Sequence, residues 1–214
     1  MTIYDQLSSR IGQRGDQADI DLALKLSQNP DPDAVKELTQ GLKSKDRALQ
    51  SDCIKALYEL GYRDPAQLIP YATNLLELLH SRNNRLVWGG MIALSTIANQ
   101  TAEQLYTELE RILDAFENGG TITKDAGVSV LAGIASGLPQ HKQEILPILE
   151  NHLKSCRPHS LAQHAERAAS AFSGLDAQQF MSILNSRLAD LSPSQAQRVN
   201  RLIKRVEKEA VKHV

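Results

Sequence analysis

Imidazole and thiol side chains crowd one stretch of this 214-residue chain: His152-Leu153-Lys154-Ser155-Cys156-Arg157-Pro158-His159, then Gln163-His164. His152 and Cys156 are four residues apart, so a helix presents both on one face. His159 and His164 follow across a polar turn. Nitrogen and sulfur donors of this kind suit zinc. Neither a paired C-x-x-C nor an H-E-x-x-H spacing is present, so the pattern predicts no metal and no cofactor. The alternative is a metal or small-ligand site within residues 152–164, with His152, Cys156 and His159 as its donors. In that reading Arg157, His159 and Gln163 face outward around a pocket.

Two other groups of residues carry chemistry. Trp88 is the single tryptophan and stands one helical turn from Arg85. An aromatic ring beside a guanidinium is typical of residues that dominate binding energy at protein interfaces. Near the chain end, Arg198, Arg201, Arg205, Lys208 and Lys212 step by three, four, three and four, which lines them along one helix face. Such a stripe can contact phosphates, although cations near a helix C-terminus also favour the helix dipole. No G-x-S-x-G, P-loop or gathered carboxylate pair occurs, and the Gly-Gly pairs at 89–90 and 119–120 lack the strand a phosphate loop needs. The residues therefore predict no enzyme.

The elements that hold these groups follow from a repeat. Val35, Ala72, Leu109 and Leu146 step by 37, as do Leu38, Leu75, Ile112 and Leu149, and Leu42, Leu79, Phe116 and Leu153. A second group keeps the same step: Ile54, Met91, Val128, Ala165; Leu57, Leu94, Leu131, Ala168; Leu60, Ile97, Ile134, Ala171. Spacings of three and four within each group place side chains on one helix face. Polar turns separate the groups at Lys43–Asp46, Ser81–Asn84, Asn118–Thr121 and Cys156–His159. Each unit is thus a helical hairpin, and stacked hairpins bury a seam that one hairpin cannot bury alone.

Boundaries have local chemistry. Asp64-Pro65 can open a helix, and Thr101 with Gln104, and Ser192 with Gln195, have capping-box spacing. Pro70 and Pro147 predict a late start or a kink. At the front, Ile3, Leu7 and Ile11 suggest one short helix; Ile20, Ala23 and Leu24 suggest another. At the back, Phe180, Ile183, Leu184 and Leu188 form one helix, and Val199, Ile203, Val206 and Ala210 a second. Small residues in second helices, such as Gly89-Gly90 and Ala126-Gly127, predict close helix–helix approach. His164 occupies a column shared with Cys53, Gly90 and Gly127, which predicts a buried histidine hydrogen-bonded across its hinge.

With hairpins of this length and Ala/Leu-rich second helices (Ile54-Lys55-Ala56-Leu57, Met91-Ile92-Ala93-Leu94), the chain resembles HEAT-repeat proteins over roughly residues 31 to 178. Asp46-Arg47 and Lys124-Asp125 approximate the family's Asp and Arg positions; Arg85 is displaced, and the fourth repeat has neither. The resemblance implies an all-α superhelix, a HEAT/ARM-like solenoid. Its layout is one domain over 1–214: a cap or worn repeat at 1–30, four repeats at 31–178, and capping helices at 179–214. It also implies recognition of a protein or peptide on the concave face lined by second helices. Arg85, Trp88, Asp125 and His159, in the outward columns, and Gln163, facing outward beside the last hinge, are the expected contacts. Some DNA glycosylases are built from HEAT-like repeats, so nucleic-acid binding through Arg198, Arg201, Arg205 and Lys208 is the competing expectation.

Composition weighs between these. Lys plus Arg number 24 against 25 Asp plus Glu, so global charge gives no pull toward nucleic acid. Apolar runs are too short and interrupted to cross a bilayer, which predicts no membrane partner. Met1 to Gln13 lacks the apolar stretch of a secretory signal, and two cysteines far apart in sequence read as reduced thiols in a cytoplasmic protein.

Overall fold

Hydrogen bonds at the turns repeat with the sequence period. Asp46 Oδ1 accepts from the N–H groups of Ala48 and Leu49 at 2.9 and 3.3 Å, opening helix α3 (Arg47–Arg63). At the matching turn, Asn83 Oδ1 accepts from Arg85 N–H at 3.1 Å and opens α5 (Asn84–Ile97). Two residues before each cap a serine hydroxyl accepts in turn, Ser44 from Asp46 N–H and Ser81 from Asn83 N–H. Caps of this kind satisfy N–H groups that have no partner inside the helix. Gln50 then joins the two turns: its amide donates to the Leu42 and Ser44 carbonyls, and its Oε1 accepts from Asn83 Nδ2 at 2.8 Å.

The structure is a computed structural model and describes residues 2–211. Among these it contains twelve α-helices and seven short 3-10 turns, with no strand. Two compact units divide the chain, Met1–Val130 and Leu131–Val214, and the division falls inside α8 (Thr121–Gly137). The first unit runs from a 3-10 turn at Ile3–Gln6 through α1 (Gln17–Gln28), α2 (Pro32–Gly41), α3, α4 (Ala72–Glu77), α5, α6 (Ala102–Thr107) and α7 (Leu109–Asn118) into α8. Within it α3 packs on α1, α2 and α5, and α5 packs on α4. The second unit continues with α9 (Lys142–Ser155), α10 (Pro158–Ala168), α11 (Asp176–Ser186) and α12 (Pro193–Val211). There α10 packs on α9 and α12, and α11 packs on the same two.

Every 37-step column named above is buried, save Leu109, which is half-exposed. The glycines allow this packing. A Cβ on Gly89 would lie 2.5 Å from Ile54 Cγ1, and one on Gly127 would lie 2.6 Å from Phe116 Cδ2. Backbone therefore approaches side chain where any larger residue would collide.

Several local expectations change. Thr101 makes no capping box: its hydroxyl donates back to the Ile97 carbonyl at 2.9 Å, and Gln104 instead donates to Thr73. Ser192 does pair with Gln195, whose Oε1 accepts from Ser192 N–H at 3.0 Å. Pro70 sits in a 3-10 turn at Ile69–Tyr71 and delays α4, whereas α9 runs through Pro147. Ile11 lies beyond the short N-terminal turn and is exposed. In α1 the buried face is Asp19, Leu22, Ala23 and Leu26, so Leu24 points to solvent. Asp19 lies on that buried face, where its Oδ1 accepts from Ser8 N–H at 3.0 Å, and on α3 Asp52 Oδ2 accepts from Ser9 N–H at 2.9 Å. Leu188 falls in a 3-10 turn after α11, and in α12 Leu202 is buried while Ile203 is half-exposed.

Candidate functional site

In the first unit the second helices α3 and α5 carry a row of rings and cations that runs from exposed Tyr62 over buried Tyr58 to half-buried Trp88. The Arg85 guanidinium stacks over Trp88, 4.1 Å from the ring centroid, and its Nη2 reaches Asp16 Oδ2 at 3.4 Å. Trp88 lies beside Tyr58 (centroids 6.1 Å apart), and Tyr58 meets Tyr62 edge-on at 6.3 Å. Lys55 Nζ sits 4.9 Å above the Tyr58 ring and pairs with Glu59 at 2.9 Å. Arg63 closes the row on Glu59 at 2.7 Å. Burial alone would favour neutral forms here, raising Glu59 and lowering Lys55. The bonds among Lys55, Glu59 and Arg63, with Tyr58 beside Lys55, outweigh it, so Glu59 falls below its ordinary range and Lys55 rises above its own. Charged groups thus stay charged beside aromatic faces. Trp88 is half-buried and Tyr62 is 58% exposed, so the row is rigid at one end and open at the other. Sequence reasoning found Arg85 and Trp88 but missed Tyr58 and Tyr62. Their spacing of four from each other was the available signal.

Asp125 is half-buried on α8, three residues after exposed Ile122. In the second unit His159 is exposed in the first turn of α10, and Gln163 is half-buried one turn further on. Among the described residues, His159 is not one of the donors that gather between α9 and α10. It is His164, only 4% exposed, that faces α9: its Nδ1 lies 2.9 Å from His152 Nε2. Among the described residues, His152, Cys156 and His164 place their ligand atoms within 4.8 Å of one another.

Arg187 was not legible as a site residue. It reaches back to α9, donating through Nη1 to the Leu153 and Lys154 carbonyls at 2.8 Å and through Nη2 to Cys156 O at 3.0 Å. Burial pushes the Cys156 thiol up, while Arg187 opposes that push. Cys53 has less help: burial, with the nearby Asp52, Asp19 and Glu37, pushes it up to about 12. Both cysteines are buried and free.

The basic stripe on α12 is partly spent internally. Arg198 forms a bidentate pair with Glu166 of α10, Nε to Oε1 at 2.7 Å and Nη2 to Oε2 at 2.5 Å. That pair, with Arg205 and Arg201 beyond it, holds Glu166 below the usual carboxylate range. Arg201, Arg205 and Lys208 are exposed, and Lys212 lies outside the described residues.

Solved structures share this fold over nearly the whole chain. An engineered protein from a structural-genomics consortium matches with TM-score 0.65 and 19% identity, covering 98% of each chain. A second engineered protein from the same consortium gives TM-score 0.63 at 19% identity, over 97% of this chain and 100% of its own. A designed armadillo repeat protein, solved in complex with the peptide (KR)4, matches with TM-score 0.67 and 16% identity, over 94% of this chain and 98% of its own. No protein-family model and no curated protein matches the chain. At these identities the likeness concerns fold alone, and it places the chain in the all-α, armadillo-like helical-repeat class. No described helix is long and apolar enough to cross a membrane.

Proposed function

We propose that this chain is a HEAT-type binding scaffold, not an enzyme, which takes up a protein or peptide along its second helices in a cytoplasmic setting. One observation carries the reading: the row Arg85–Trp88–Tyr58–Tyr62, in which the guanidinium lies over half-buried Trp88, buried Tyr58 backs that ring, and exposed Tyr62 stands edge-on to Tyr58 before any partner arrives. Preorganised rings lose little freedom on binding, which is why such residues dominate interface energetics. Asp125 in the first unit, and His159 and Gln163 in the second, are the other contacts proposed. The peptide held by the designed armadillo neighbour gives a precedent for this fold as a peptide binder.

The test is a quantitative capture comparison. Partners retained by the wild-type chain should be lost by Trp88→Ala and Arg85→Glu, with the affinity of a purified partner falling roughly 30-fold. Arg201→Glu, on the α12 stripe, should retain them. Unchanged capture by both row variants would overturn the reading.

A further inference from the structure

We propose that His152, Cys156 and His164 form a binding site for a thiophilic ion of the zinc class, with its fourth coordination position open. Three features of the second unit lead there. First, the hairpin brings the donors together from both sides: His152 and Cys156 come from the last turn and end of α9, and His164 returns from the middle of α10. Second, the imidazoles meet nitrogen to nitrogen at 2.9 Å, a geometry that needs one proton between them. An ion can take the place of that proton. Tetrahedral zinc at its usual bond lengths holds two nitrogens about 3.3 Å apart and a nitrogen and sulfur about 3.6 Å apart. The trio lies within 4.8 Å, so side-chain rotations of about 1 Å convert the pair into ligands. Third, the donor set is two imidazoles and one sulfur, which selects zinc over hard cations such as magnesium or calcium.

The surroundings suit the role. Cys156 and His164 are buried, so the thiolate form gains from an ion more than it would in water. Arg187 holds the carbonyls of Leu153, Lys154 and Cys156, which sets the backbone that aims the thiol. His164 also stands where the corresponding positions of the other repeats hold Cys53, Gly90 and Gly127. A packing role would be met there by a small residue.

Cobalt titration of the chelator-stripped full chain tests this. The wild-type chain should bind one Co2+ with a sulfur-to-cobalt charge-transfer band, and added Zn2+ should bleach it. Cys156→Ser should abolish the band although Cys53 remains. His152→Gln and His164→Gln should each weaken Zn2+ binding at least about tenfold, since loss of a mere supporting contact to a ligand already costs that much. Circular dichroism checks that each variant folds. Should His164→Gln fail to fold, the wild-type spectrum and His152→Gln, at a half-exposed position, decide the matter. No thiolate band in the wild type, or a band that survives in Cys156→Ser, overturns the proposal.

Discussion

Asp19 shows what one buried side chain does to this molecule. Burial raises its carboxyl to about 6; Ser8 N–H opposes the rise, and the charges of Asp52 and Asp16 add to it. Its Oδ2 is buried without a hydrogen-bond partner. The folded state thus prefers the protonated acid. The resulting stabilisation is fully present below the ordinary value of 3.8 and is lost as pH rises through about 6. Asp19→Asn keeps an oxygen for Ser8 and removes the titration. Its stability relative to wild type should therefore improve by roughly 2 kcal/mol between pH 3.5 and pH 7. Urea unfolding at the two pH values checks this; an equal difference at both would mean that the folded state leaves the carboxyl unshifted. The candidate contacts depend on the same kind of detail. Trp88 was visible as a lone tryptophan, but its value as a contact comes from Arg85 above it and Tyr58 beside it.

Helices pair here by letting backbone meet side chain. Gly89 of α5 faces Ile54 of α3, both buried. A methyl group there would sit 2.5 Å from a β-branched side chain that has few rotamers to escape into. Gly89→Ala gains up to about 1 kcal/mol of helix propensity, yet overpacking costs typically 1–3 kcal/mol. The clash should win, and the variant should melt several degrees below wild type, as a thermal scan by circular dichroism would record. A higher midpoint would mean that α3 and α5 separate without cost. The same scale explains the local departures from expectation. Thr101 had the spacing of a capping box, but Gln104 of α6 found a partner in Thr73 of α4. A motif within four residues does not compete with a contact that tertiary packing presents.

For the molecule as a whole, charge separates the two binding readings. Net charge is −1, and Arg198 of the basic stripe is held by Glu166. Among the described residues Arg201, Arg205 and Lys208 remain as the exposed cations of the stripe, and we expect so few phosphate contacts to hold a duplex only weakly. Mobility-shift assays at about 50 mM salt should show no complex with DNA or RNA; a complex abolished by Arg201→Glu with Arg205→Glu would favour the nucleic-acid reading. The 37-residue step sufficed to identify the hairpins, their polar turns and nearly every buried column. That information is local, since helical spacing alone decides which side chains share a face. The meeting of distant faces was not readable in this way. Arg85 reaches Asp16 across 69 positions, and Arg187 reaches Leu153 across 34. The column pattern already read His164 as buried and hydrogen-bonded across its hinge, as it is; only the tertiary structure named His152 as the partner and brought Cys156 beside both, because the rotation of α10 about its own axis is set by packing on α9 and α12.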